Sequence, residues 1–267
     1  MPGTLKEIFM SPIREARPAK QHARSLCSNN YTAMAKRALV LSSGGLFGAY
    51  QAGAWSALDA HFQPDLIIGA SIGALNSWCI AGGASGHEIC QRWRHLQLES
   101  ITRARHPIEE LFQEYHPRTS VSVVLTDILR LRIRAFSNQQ ITSRHLAASC
   151  AIPLVLPMQR IDRIWYADGG LLGSLPINAA IEQGATEIFA INVWAPLPWL
   201  WSNCGRTLRL LTGNRIKAPK NVKIHLLTPP RLLGRVSDAY VPRPGNIERW
   251  IAQGHADATK HFPPGMF

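Results

Sequence analysis

Between Arg37 and Val193 the apolar residues fall into short runs separated by glycine-rich breaks. Arg37-Ala38-Leu39-Val40-Leu41 and Leu66-Ile67-Ile68 are brief and continuous, the pattern of buried strands. Val121–Leu125, Arg163–Ala167 and Glu187–Val193 predict three more strands. Leu129–Phe136 alternates apolar and basic residues, which predicts a half-buried strand with its arginines on one side. Helices are predicted over Ala49–Ala60, over Ala74–Ala81, and over Thr142–Cys150 with Thr142 as cap. Pro176–Gln183 suits a helix with proline in its first turn and Gly184 as its stop. Asn246–Lys260 predicts a last helix, expected to pack on the sheet. Gly86–Pro117 reads as mixed and partly helical, and Ala151–Pro157 as an irregular crossing. Strands alternating with helices predict an α/β sandwich around a largely parallel sheet. With no repeat and no second boundary, residues 37–267 are expected to form one domain, preceded by a basic, flexible arm over residues 1–36.

The breaks hold the candidate chemistry. Gly69-Ala70-Ser71-Ile72-Gly73 has the form G-x-S-x-G and lies between a predicted strand and a predicted helix. A serine on such a turn is pushed up at the carboxyl end of a sheet, and flanking glycines avoid a clash in the tight turn. The bland alternative is a glycine-rich turn with a solvated serine. Upstream, Ser42-Ser43-Gly44-Gly45-Leu46-Phe47-Gly48 runs from a strand into a helix. A loop of this kind presents unpaired N–H groups and the positive end of a helix dipole, so it binds an anion. The anion is either a phosphate or the oxyanion formed when a serine attacks an ester. G-x-G-x-x-G spacing and a P-loop Lys-Ser/Thr pair are both missing, which argues against nucleotide binding. Downstream, Asp168-Gly169-Gly170 ends a strand, so Asp168 either points across to a neighbouring strand end or forms a simple Asx turn.

Taken in order, these segments resemble the patatin-like phospholipase family. Ser43-Gly44-Gly45-Leu46-Phe47-Gly48 matches its oxyanion loop, and Gly69 to Gly73 its nucleophile elbow. Ala148-Ser149-Cys150-Ala151-Ile152-Pro153 and Asp168-Gly169-Gly170 match two further elements, so the resemblance spans Ala38 to Val193. It implies a three-layer α/β/α sandwich and a serine acyl hydrolase acting on a lipid or other acyl ester without cofactor or metal. Ser71 would be the nucleophile and Asp168 its base, with backbone N–H groups of Gly44, Gly45 and Ile72 as oxyanion donors. Two residues depart from the family pattern. Ser43 stands where a glycine is usual, and Phe47 stands where Arg or Lys is usual. An aromatic at 47 is expected to line the acyl pocket or touch lipid. These departures keep open a catalytically weak, lipid-binding or regulatory protein on the same fold. A Ser-His-Asp esterase is the other alternative. Of the histidines after Asp168 (His225, His255 and His261), it would use His225, expected at the end of a strand over Val222–Ile224.

Composition narrows the setting. The chain carries a formal net charge of +12, and no acidic residue occurs from Ile188 to Ser237. That span holds eight basic residues, Arg206 to Arg235, and the tryptophan-rich stretch Trp194–Trp201. Tryptophan favours the membrane boundary and basic side chains favour anionic headgroups, so peripheral contact with an anionic membrane is expected. No helix-turn-helix, RNA-recognition or zinc-finger pattern is present, which argues against a specific nucleic-acid partner. The five cysteines, Cys27, Cys79, Cys90, Cys150 and Cys204, form no C-x-x-C pair, and no H-E-x-x-H occurs. A reducing, cytoplasmic setting is expected, with no signal peptide and no membrane-spanning helix.

Overall fold

The computed structural model describes residues 36–95, 105–153, 156–194 and 219–267. The N-terminal arm apart from Lys36, the tryptophan-rich stretch apart from Trp194, and Arg206, Arg209, Arg215 and Lys217 lie outside the described residues.

Eight strands form one mixed sheet. They are β1 (Arg37–Leu41), β2 (Leu66–Ala70), β3 (Ser120–Asp127), β4 (Arg132–Ser137), β5 (Gln159–Ile161), β6 (Ile164–Asp168), β7 (Glu187–Ile191) and β8 (Lys223–Leu227). The order is β5-β6-β3-β2-β1-β7-β8, with β4 also paired to β3. Strands β3, β2, β1, β7 and β8 are parallel, whereas β4 and β6 run antiparallel to β3.

Strand periodicity sorts the core into two layers. Leu39, Leu41, Ile67, Val121, Val123, Leu125, Phe189 and Ile191 pack under one set of helices. Ala38, Val40, Leu66, Ile68, Ala70, Val124, Ile188 and Ala190 face the other side. The first face is covered by α1 (Gly48–Leu58), α2 (Ile72–Ala81), α3 (Gly86–Arg94), α5 (Ser143–Ser149) and α7 (Asn246–His261), and α4 (Arg105–Glu114) adds to that layer. On the second face α6 (Ile177–Glu182) brings Ile177, Ala179 and Ala180 onto the sheet. The result is a three-layer α/β/α sandwich. None of the described helices is long and apolar enough to cross a membrane.

Four details differ from the sequence reading, each for a local reason. The alternating stretch Leu129–Phe136 is strand only from Arg132. The buried Asp127 carboxylate accepts the Arg130 N–H at 3.1 Å and turns the chain, leaving Leu131 at φ 47°. Arg132 and Arg134 do share a face, over Asp127 and Tyr166. Strand β5 pairs with β6 through Asp162 and Arg163, both at positive φ, a two-residue turn without the usual glycine. His225 lies in the middle of β8, opposite Phe189, instead of at a strand end. Helix α7 packs chiefly on α1, where the Tyr50 hydroxyl donates to Asp257 at 3.0 Å, and only its margin reaches the sheet.

Candidate active site

The sheet brings the three glycine-rich breaks together. Strands β1 and β2 are parallel neighbours with Leu41 opposite Gly69, so the loop after β1 and the elbow after β2 lie side by side. β4 occupies one edge of β3 from Ser122 to Asp127, so β2 and β6 share the other edge. β2 arrives from one direction and stops with Ala70 opposite Val124. β6 arrives from the other and stops with Asp168 opposite Leu125, one rung on. Ser71 and Asp168 therefore meet head to head between two strand ends.

Ser71 has φ 55° and ψ −127°, a backbone conformation that costs about 1–3 kcal/mol in a residue with a side chain. Its surroundings hold it there. The Ser71 N–H donates to the Ser149 hydroxyl at 2.8 Å, and that hydroxyl donates to the Val124 carbonyl at 2.8 Å, at the junction of β2 and β6. Gly73 permits the close approach of α2 to the end of β1, since a Cβ there would lie 2.5 Å from the Ser42 carbonyl oxygen and 2.6 Å from that of Leu41. Because both obstacles are backbone, Gly73→Ala is expected to cost about 3 kcal/mol of stability, measured by denaturant unfolding. Gly69 stands at the other flank, as the penultimate residue of β2.

Asp168 is fixed from several sides. Its N–H donates to the Ala151 carbonyl at 2.9 Å, and its own carbonyl accepts from the Thr126 hydroxyl at 2.8 Å. One carboxylate oxygen accepts the Gly170 N–H at 2.6 Å, and Gly169 donates to the Ser149 carbonyl. Burial pushes its pKa up to about 6, against the opposing pull of hydrogen bonds from the Ser71 hydroxyl and the Gly170 N–H. Burial, together with the Asp168 charge, raises the pKa of the Cys150 thiol far above the usual thiol range.

The loop after β1 makes a 3-10 turn, Gly45–Phe47, before α1. The Ser42 and Ser43 N–H groups donate to Ile191 and Ser174 carbonyls. Among the described residues, the N–H groups of Gly44, Gly45 and Ile72 have no protein acceptor. Gly45 sits at φ 55° against the Ala239 carbonyl, where a Cβ would collide. Ser43 stays out of the positive-φ region, so its side chain causes no strain, and it packs against Gly170. Phe47 corrects the expectation of a pocket or lipid contact. It is 2% exposed and meets Trp194 and Trp250 edge-on, with ring centroids 5.5 and 5.0 Å away. Gly48 lies under Ile72 and Trp93, where any Cβ would be crowded.

A buried polar chain supports this loop. The Gln51 side-chain amide donates to the Ser42 carbonyl at 2.7 Å, and Asn76 donates to Gln51 at 3.0 Å and to the Gly48 carbonyl at 3.1 Å. Trp93 donates to Asn76 at 3.1 Å, and the Ser42 hydroxyl accepts the Val193 N–H at 3.0 Å. Ser149, Thr126, Gln51 and Asn76 have no site role in the sequence reading. The available signal was a polar residue inside an apolar helix, as in Ala49-Tyr50-Gln51-Ala52 and Ala74-Leu75-Asn76-Ser77. Tyr240 is a further neighbour, because the Asp168 charge adds to the burial that raises its pKa.

The histidine alternative finds no geometric support. His225 bonds Glu187 at 3.1 Å and stacks on Phe189, three strands from β2 and so about 14 Å away. His255 bonds Ser56, and His261 lies against Phe262. Among the described residues no cluster of three or more His, Cys, Asp or Glu side chains could hold a metal ion.

The family model "Patatin-like phospholipase" matches residues 39–142 and 129–181 of the chain. The crystal structure of VipD from Legionella pneumophila aligns with a TM-score of 0.50 and 13% identity, over 85% of this chain and 66% of that one. The crystal structure of the type III effector protein ExoU aligns with a TM-score of 0.47 and 12% identity, over 85% of this chain and 52% of that one. The chain thus spans less than two thirds of either structure. No curated protein matches the sequence.

Proposed function

Because the chain belongs to the patatin-like phospholipase family, we propose that it is a serine lipid acyl hydrolase working through a Ser71–Asp168 dyad. The observation that carries this reading is the head-to-head meeting of β2 and β6, which sets a strained serine against a buried carboxylate. The Ser71 hydroxyl oxygen attacks the ester carbonyl carbon while its proton passes to Asp168. The oxygen of the tetrahedral intermediate is stabilised by the free N–H groups of Gly44, Gly45 and Ile72. Asp168 returns the proton to the leaving alcohol, giving an acyl-serine. It then takes a proton from water, which attacks the acyl carbon, and returns that proton to the departing Ser71 oxygen as the fatty acid is released.

A pKa of about 6 suits the base. Asp168 is ionised at neutral pH yet binds a proton more strongly than an ordinary carboxylate, which improves its driving force for proton transfer. The lipid-binding alternative drew on Ser43 and Phe47, and both are accommodated without disturbing the loop. Fatty-acid release from phospholipid vesicles, and from a soluble short-chain ester, tests the hydrolase reading. Vesicle binding without release of acid would favour the lipid-binding alternative. His225→Ala separates dyad from triad. The dyad predicts turnover within about threefold of wild type, whereas a triad predicts a loss of several thousandfold.

A further inference from the structure

We infer that the chain docks its active-site edge on an anionic lipid bilayer through two apolar, arginine-bearing elements that flank the Ser71–Asp168 pair. The first is the tip of the β3–β4 hairpin. β3 runs on past the rung that holds Asp168, so the tip stands about 10 Å beyond the site on the same edge of the sheet. There Leu129 and Leu131 are 73% and 59% exposed. The Ile128 N–H bonds the Trp165 carbonyl, which puts the exposed Trp165 ring beside this tip. The second element is the segment around the 3-10 turn Val236–Ala239, which lies against Gly45 of the loop and brings Tyr240 near Asp168. Val236, Tyr240 and Val241 are exposed on it.

Charge identifies the occupant. Arg130 and Arg132 lie on the hairpin, Arg160 and Arg163 on the adjoining β5–β6 pair, and Arg235 and Arg243 at the second element. Asp127 pairs with Arg130 and Arg132, Asp238 pairs with Arg243, and Asp162 is exposed, so six arginines against three aspartates leave these elements net basic. Leucine, tryptophan and tyrosine at a boundary, ringed by guanidinium groups, fit a surface with an apolar interior and anionic headgroups. A nucleic acid would match the charge and leave the leucines without a partner. The surface differs from the tryptophan-rich stretch singled out in the sequence, and the inference rests on the hydrolase reading only for its purpose, delivery of acyl chains to Ser71.

The test is co-sedimentation of the full chain with phosphatidylcholine vesicles, with and without phosphatidylserine, for wild type and Leu129→Glu/Leu131→Glu. The control is Leu226→Glu, an exposed position on β8 at the far side of the sheet. Wild type is expected to bind the anionic vesicles at least about tenfold more tightly than the neutral ones. The hairpin variant is expected to lose about tenfold of that affinity, while the control binds as wild type. Turnover of a soluble short-chain ester should be unchanged in the hairpin variant. Unchanged vesicle binding by that variant, or RNA binding in place of vesicle binding, would overturn the inference. If no ester is turned over but vesicle binding still depends on Leu129 and Leu131, the hydrolase reading fails and the docking surface stands.

Discussion

Replacing Ser71 by alanine is expected to lower kcat on any acyl ester by about 10⁴-fold or more while leaving the fold intact. The size follows from the division of labour in the site. Loop amides and substrate binding remain in the variant, and only the oxygen that forms the acyl intermediate is lost. The serine is also the strained residue of the elbow, at φ 55° and ψ −127°. Alanine keeps that backbone, so Ser71→Gly should gain stability by about 1 kcal/mol where Ser71→Ala does not. Equal unfolding midpoints for wild type and Ser71→Gly would show that the surrounding hydrogen bonds, and not the residue, set the elbow.

Asp168→Asn is expected to lower turnover by about 10³-fold or more and, at neutral pH, to stabilise the protein. Burial raises the folded-state pKa from 3.8 to about 6, so the folded protein binds the proton more strongly than the unfolded chain. The stability that Asp168 contributes is therefore present below pH 3.8 and is lost as pH rises through about 6. At pH 7 the ionised carboxylate costs about 3 kcal/mol relative to its protonated form. Asparagine is neutral throughout and keeps an oxygen for the Gly170 N–H. Its advantage over wild type in thermal unfolding should accordingly be larger at pH 7.5 than at pH 4. In the wild type, kcat/KM should rise with pH and reach half its plateau near pH 6, where the base becomes ionised. A profile with no acid limb in that range would argue against Asp168 as the base.

The sequence makes the central strands and the loops after β1 and β2 readable, because each rests on a few consecutive residues. Leu39-Val40-Leu41 and Leu66-Ile67-Ile68 are apolar on both faces, and glycines mark where each run stops. What brings Asp168 to Ser71 is not local. It depends on β6 running antiparallel along the same edge of β3 as β2, on the rungs beyond the end of β2, and no period within β6 encodes that neighbour. The β5–β6 turn was equally hidden, since Asp162 and Arg163 take positive φ without glycine. Phe47 and His225 show the same limit for single side chains. One could have faced lipid and the other a catalytic aspartate, and only packing against Trp250 and Phe189 decides both. Ser149 is the instructive case, a small polar residue that ties the elbow to β3 and carries no motif of its own beyond its place in Ala148–Pro153.

The most direct test of a Ser71 nucleophile set against Asp168 is covalent labelling by a fluorophosphonate, with the adduct located by peptide mass spectrometry. The account predicts one phosphonylated site, on the peptide carrying Ser71. Labelling should be absent in Ser71→Ala and slowed by orders of magnitude in Asp168→Asn. An adduct on another serine, or labelling of Asp168→Asn at the wild-type rate, would contradict it.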